Sequence, residues 1–599
     1  MKYRVFSRFP ALGFGFAIAG LSFFPACTGS VNGDNMGGGP GTSGGGTASS
    51  GTGPVTTAGT GVIQGGMGPV ACDGNPVSDA KRIVRLSFNQ ISNTVHALFG
   101  ETLGLKIDAD LEIGTEAQAA RTFPPLASPQ EGPTIGKTTW PKNDQLAAAA
   151  GEYTLANLNA VTACGAAPTD DCAQTFVKSF AEKAYRRPLN ATETASVMQV
   201  YNEVKAVYGT VPEAIQYSVY AIMQAPQFLY RTEFGTNQAE ASALTPYELA
   251  SELSYFLTDG PPDQALLDAA KQNKLTTAED IGPQVDRILA TPAARKNLEG
   301  AMFSYFKLDN LATVKIDDPV FSMGAGTATN PYKGVRESAY RESELFFTNT
   351  LWSGPLTGLL TSKKSAINTT LAAFYGITLP TTPADETTFV PVDLPANRAG
   401  LLTQAGFLAS RSRPDVASVV ARGLVINAAL LCAVNPPLPT DPATSALIAD
   451  AKAKLATATS REQSQFRTTT APCLGCHQNF DAYGLALDTY DSIGRYRTMD
   501  PEGRPIDPSV TLPSTVGGGM AKDTIDMETQ IAAAPGFSAC VAKNMLNWAL
   551  AEGSELSPTS CATVSVGLGF SAGDQSFSSL LRQVAVSQAF TNRNAGAAQ

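Results

Sequence analysis

The sequence predicts a mainly α-helical, multi-module protein, and three observations carry that prediction. The chain has 599 residues, too many for one ordinary domain and suited to three or four. Apolar residues make up 43% against 16% charged, enough to bury large cores and unlike disordered or collagen-like chains. Helix-start signals followed by apolar stripes at helical spacing recur along the chain, whereas strand signals are sparse.

In chain order, residues 1–26 read as an export signal: Lys2, Arg4 and Arg8 precede the apolar run Ala11–Phe24. Cys27 follows Phe24-Pro25-Ala26, and a small residue before a cysteine is similar to a bacterial lipoprotein processing site. Cys27 is therefore the expected lipidated residue and membrane anchor, with plain secretion or an uncleaved anchor as alternatives. No later apolar run is long enough to predict a spanning helix. Residues 27–80 are expected to be a tether, because from Thr28 to about Ala71 they are Gly, Thr and Ser with scattered Pro. Such a stretch buries too little apolar surface to offset its ordering entropy.

A helical module is expected over 81–165, where the capping box Ser87-Phe88-Asn89-Gln90 precedes Ile91, Val95, Leu98 and Phe99 on one face. A second, over 166–218, opens a helix at Asn190-Ala191-Thr192-Glu193 with Val197, Val200, Tyr201 and Val204 inward. The third spans 219–395. There Thr245-Pro246-Tyr247-Glu248 combines a cap, a first-turn proline and a capping box before Leu249, Leu253, Phe256 and Leu257. Thr291-Pro292 repeats the signal, and Thr388–Leu394 is the best short strand. Residues 396–510 hold the chemistry described next, and 511–599 form a C-terminal helical module. These apolar stripes predict core rather than a ligand site.

Composition excludes some functions. The net charge is −10, from 43 Lys+Arg against 53 Asp+Glu, so no basic excess exists to hold nucleic acid. His96 and His477 are the only histidines, which excludes most multi-histidine metal enzymes. No nucleophile elbow, phosphate loop or zinc-protease helix motif is present.

Cys473-Leu474-Gly475-Cys476-His477 is the motif that carries chemistry. Two thiols separated by two residues can each add to one vinyl group of haem, and the adjacent histidine then ligates the iron. With so few Cys and His, the pentapeptide should arise by chance about once in two thousand such chains. One covalent haem c is the expected cofactor, embedded in a cytochrome c-like module. The rival readings are a redox dithiol, which does not need the histidine, and half a zinc site, which lacks nearby further ligands. Setting aside Cys27, Cys473 and Cys476 leaves Cys72, Cys164, Cys172, Cys432, Cys540 and Cys561. An even number in an exported, oxidising compartment predicts disulfides, with buried free thiols as the alternative. The expected pairs are Cys164–Cys172 and Cys540–Cys561, with Cys72–Cys432 by elimination.

The stretch Cys473–Arg497, with Phe480-Asp481, Gly484-Leu485-Ala486-Leu487-Asp488, Tyr490-Asp491, Gly494-Arg495 and Arg497, resembles the planctomycete-type cytochrome c proteins. Other stretches resemble the modules that accompany it: Arg85-Leu86 through Leu98-Phe99-Gly100, Ala184–Leu189, Pro226–Arg231, Tyr247–Leu257, Asn368–Gly376, Gly400–Gln404 with Arg422-Gly423 and Pro436-Pro437, and Cys540–Phe590. The resemblance covers about residues 81–592. It implies an exported multi-module protein with a haem module, but the family has no settled activity. Relatives often have Met three residues after the haem histidine and a histidine about six residues before the first cysteine. This chain has Phe480 and Arg467 there. The sixth iron ligand is thus open: Met520 and Met527 follow His477 at a spacing compatible with a class I cytochrome, and packing is the plainer reading of each. His96, far upstream, reads as a surface helix residue. Arg495 and Arg497 are candidates for the haem propionates or for ordinary salt bridges. Asp481, Asp488 and Asp491 are expected to be structural.

The expected function is one-electron transfer with a redox partner protein, in the periplasm or at the cell surface, with His477 as proximal ligand. The alternatives are a haem enzyme with an open iron site, peroxidase-like or oxygen-using, and an envelope binding or scaffold protein with structural haem. Three tryptophans in the whole chain argue mildly against the last.

Overall fold

A computed structural model of the chain describes residues 77, 83–110, 139–237, 240–322, 334–414, 416–434, 441–550 and 560–594. The export signal, Cys27, Cys72 and the tether lie outside the described residues. All described residues fall within one unit, Thr60–Gln599.

Helices dominate, as the apolar stripes predict. The expected caps form because they are local: Ser87, Asn190 and Thr245 each accept a backbone N–H three residues on, and Gln90, Glu193 and Glu248 each reach back to the cap. Each such cap stabilises by about 1 kcal/mol. Among the described residues, strands form four two-stranded antiparallel sheets. The expected strand is Val390–Asp393, paired with Lys364–Ile367. The ribbon of Ile83–Arg85 with Tyr230–Thr232 and that of Ser242–Ala243 with Asn592–Arg593 join residues far apart in sequence.

The cores do not follow the modules. One hydrophobic cluster joins the two N-terminal modules and takes Val219, Ile222, Met223, Phe228, Leu229 and Tyr255 from the third. The largest runs through the helices Pro246–Thr258, Pro292–Tyr305, Val419–Leu431, Asp481–Ala486, Pro535–Leu550 and Phe577–Val586. A third packs the helix Val335–Thr350 and the Lys364–Ile367 ribbon against Ala405, Ala409 and Ile493. The 396–510 segment therefore shares its core with the segments before and after it. A buried charge cluster also closes the C-terminal end onto the centre. Arg593 Nε donates to Glu233 (2.7 Å) and Arg231 Nη1 to Glu252 (2.5 Å), all four residues nearly without solvent. Removing one partner would strand a buried charge, which costs far more than an exposed pair gains.

Cys164 and Cys172 are joined, with α-carbons 5.9 Å apart. The other expected pairings are corrected: Cys540 is bonded to Cys432, α-carbons 5.1 Å apart, and not to Cys561, and Cys432 therefore does not pair with Cys72. Cys561 is also disulfide-bonded. The physical reason is tertiary. Cys432 ends the helix Val419–Leu431 in a left-handed conformation (φ 51°), and the helix Pro535–Leu550 packs on that helix, bringing Cys540 to its end.

Candidate haem site

The helix Val419–Leu431 is the platform under the site. It crosses the helix Asp481–Ala486 so closely that glycine is required at the contact: a Cβ on Gly484 would overlap the Val419 carbonyl oxygen, and one on Gly423 the Phe480 carbonyl oxygen. Arg422, fully buried, donates to the carbonyls of Leu487 (3.0 Å), Tyr490 (2.8 Å) and Asp491 (2.6 Å). Burial lowers its pKa to about 10, so it remains charged at neutral pH. It satisfies backbone carbonyls of the loop that follows the short helix.

Upstream, Thr459 and Glu462 form a capping box that starts the helix Ser460–Thr469. A bend follows, then the short helix Leu474–His477 carrying the motif. Cys473 and Cys476 are unpaired thiols, both partly exposed. Cys476 rests on the edge of the main core, and Leu474 between them is 36% exposed.

His477 is held by a carboxylate. Its Nδ1 lies 2.8 Å from Asp481 Oδ1, and Arg467 Nε donates to Asp481 Oδ2 at 2.7 Å. Asp481 has no solvent exposure. An ionised carboxylate only accepts, so Nδ1 carries the hydrogen and Nε2 keeps its lone pair for a metal. The Phe480 ring is 5.0 Å from the imidazole, centre to centre. Phe480 and Arg467, the two departures from the relatives' pattern, thus both border the histidine–aspartate unit. The donor set suits covalent haem: two free thiols two residues apart, then an imidazole whose Nδ1 is engaged and whose Nε2 is not. Among the described residues no group of three or more His, Cys, Asp or Glu is placed to hold a bare metal ion.

The other sequence candidates lie as follows. Arg495 makes a forked pair with Asp318 (2.7 and 3.1 Å) and also reaches Asp491 (3.1 Å), while Arg497 is on Asp488 (3.0 Å). Both guanidiniums thus bond to the protein's own carboxylates, the salt-bridge alternative named above. Asp491 also accepts from the Ile493 and Arg495 amides, so Asp488 and Asp491 act in the fold. Met527 is fully buried in the main core, whereas Met520 is 66% exposed on the strand Met520–Ala521. His96 is engaged by Asp108 (3.0 Å) and Glu101 (3.2 Å). Burial opposes its charge, but those two acids overcome this and raise its pKa. Sequence reasoning missed one feature: it took Asp481 as structural, although a carboxylate four residues after the histidine was a usable signal.

Three family models match the chain: PSD5, a protein of unknown function (DUF1595), over residues 172–233; PSD4, a protein of unknown function (DUF1592), over 244–377; and PSCyt3, a protein of unknown function (DUF1588), over 398–500. No curated protein and no solved structure matches it. The PSCyt3 match contains the whole Cys473–His477 motif, and the three models together are those of one family's modules. The chain belongs to the planctomycete cytochrome c-type multi-module proteins.

Proposed function

We propose that this protein is an exported, single-haem electron carrier, anchored through Cys27 and exchanging electrons with a partner protein in the periplasm or at the cell surface. The observation that carries the reading is the His477 imidazole, held at Nδ1 by a buried carboxylate and leaving Nε2 to a metal beside two free thiols. Cys473 and Cys476 would hold the haem by thioethers and His477 would be its proximal ligand. When bound, the haem supplies a reversible one-electron couple. The residues around it orient the imidazole, and the shared core beneath limits how far the motif can move when charge changes. Leu474, in water within the motif, offers an apolar contact to the ring. A carboxylate-backed proximal imidazole also favours a second reading, a haem enzyme with an open iron position, because such a partner makes the ligand more basic.

The test is expression in a host with cytochrome c maturation. Haem that survives acid–acetone extraction and denaturing gels, and is lost when Cys473 and Cys476 are both replaced by Ser, supports attachment. Loss of haem from the wild-type protein under those conditions overturns it. A six-coordinate low-spin spectrum supports electron transfer, and a high-spin spectrum the enzyme reading. Detergent partitioning abolished by Cys27→Ser supports the anchor, and a wild-type protein unmodified at Cys27 refutes it.

A further inference from the structure

We infer that Asp481, held in place by Arg467, is a positioning residue that fixes the His477 tautomer and lowers the reduction potential of the iron that His477 would bind; this rests on the haem reading above. Three observations lead there. First, each oxygen of the carboxylate faces a charged or ionisable neighbour, the imidazole Nδ1 at 2.8 Å on one and Arg467 Nε at 2.7 Å on the other. Second, Asp481 is wholly without solvent, while His477 and Arg467 each keep one-fifth of their side-chain surface exposed. Water therefore does not compete for the carboxylate, and its charge acts on the imidazole through a poorly screened medium. Third, the three residues stand on three consecutive elements: the last turn of Ser460–Thr469, the end of Leu474–His477 and the start of Asp481–Ala486. The hydrogen bonds thus fold the motif back on the helix that precedes it, with the Phe480 ring closing one side of the imidazole.

The physical consequence has a sign. An imidazole that donates to a carboxylate is a more basic ligand, and the negative charge beside it favours the more positive oxidation state of the metal. Ferric iron gains more from it than ferrous iron does, so the potential falls. Arg467 offsets part of the carboxylate's charge and makes its burial tolerable. At position 467 a histidine would offer a ligand; arginine offers a clamp.

Asp481→Asn separates this role from a merely structural one, because the amide keeps the shape and an acceptor oxygen but removes the charge. The proteins to compare are full-length wild type and D481N, matured with haem. Haem-stained denaturing gels report attachment, and spectroelectrochemical titration reports the midpoint potential. The expected result is equal attachment with the D481N midpoint shifted upward. An unchanged or lowered midpoint, with haem attached in both, overturns this inference alone. A wild-type protein without covalent haem overturns the proposed function, and this inference with it. Should D481N fail to accumulate, proton NMR of the wild-type haem protein reads the same contact. Slow solvent exchange of the His477 Nδ1–H supports the inference, and exchange as fast as that of a free imidazole overturns it.

Discussion

The Cys432–Cys540 bridge is predicted to contribute strongly to the stability of the 396–510 region. It joins residues 108 apart and encloses the entire Cys473–His477 motif. In the chain-entropy model, closing a loop of about 100 residues removes enough unfolded-state freedom to stabilise by about 4.7 kcal/mol. The native geometry asks for little rearrangement in return, since Cys432 already sits at a left-handed helix end and Cys540 is buried on the facing helix. Replacing both by Ala should therefore lower the urea midpoint of the oxidised protein by the equivalent of about 3–5 kcal/mol, within the range seen when native bridges are removed. Trp548, on the same helix as Cys540, is a fluorescence reporter for the transition. Adding a reductant, which also opens the Cys164–Cys172 and Cys561 bonds, should bring the wild-type midpoint to or below that of the variant. A C432A/C540A midpoint equal to wild type, or non-reducing peptide maps that place Cys540 with Cys561, would refute the reasoning.

Three further outcomes are expected. Glu342 is fully buried, accepting from the Tyr375 hydroxyl at 2.5 Å and from Ser365 at 2.8 Å; burial pushes its pKa to about 7, and those hydrogen bonds and the Arg398 charge only partly pull it back. Its folded pKa lies above the unfolded 4.5, so its contribution is complete below about pH 4.5 and is lost as pH rises through 7, a change of about 3 kcal/mol. Glu342→Gln should flatten that part of the stability profile, measured as urea midpoints at pH 5 and pH 8; parallel profiles would sink the assignment. Gly484→Ala should destabilise by about 1–3 kcal/mol or more, because its methyl meets the Val419 backbone. Gly536→Ala, where a Cβ meets only ordinary contacts near 3.8 Å, should be nearly silent in the same thermal melt, and equal melts would contradict the packing argument. Met527→Leu should leave the iron spectrum unchanged and cost under about 1.5 kcal/mol, since the thioether is core packing. A sulfur-to-iron charge-transfer band lost with Met527→Leu would overturn this placement.

What the sequence made legible was local. Capping boxes such as Ser87–Gln90 and Thr245–Glu248 need only four residues, so composition and spacing reveal them. The haem motif is five contiguous residues and is equally local. The partition of the cores was not legible, because an amphipathic stripe shows that a helix face is buried and not against what. Leu249 and Leu485, in different modules by sequence, share one core. The cysteines failed for the same reason. Cys540 and Cys561 are near in sequence, but the helix packing that brings Cys432 to Cys540 spans 108 residues and leaves no mark in the spacing. The partners of Arg495 and Arg497 were equally out of reach of the sequence, because Asp318 lies 177 residues before Arg495.

The same packing explains why the motif sits on short elements yet is well braced. The helix Leu474–His477 has four residues and the helix Asp481–Ala486 has six, too few to be stable alone. Their order comes from the longer helix Val419–Leu431 beneath them. Arg422 gathers the carbonyls of the loop after Ala486, Gly423 permits close approach, and Cys432 fastens the far end to the C-terminal module. Further support comes from Arg398, whose guanidinium lies 4.1 Å from the Tyr375 ring centre and 5.2 Å from that of Tyr490, while Nη2 donates to the Gly494 carbonyl at 2.6 Å. Tyr375 is in the PSD4 match and Tyr490 in the PSCyt3 match, so this stack welds two modules behind the haem motif. A site whose braces come from the modules on both sides cannot be excised with its geometry intact. An isolated 396–510 fragment would lose the Cys540 bond, the Tyr375 stack and the Asp318 partner of Arg495 together, and it should fail to fold as the intact chain does.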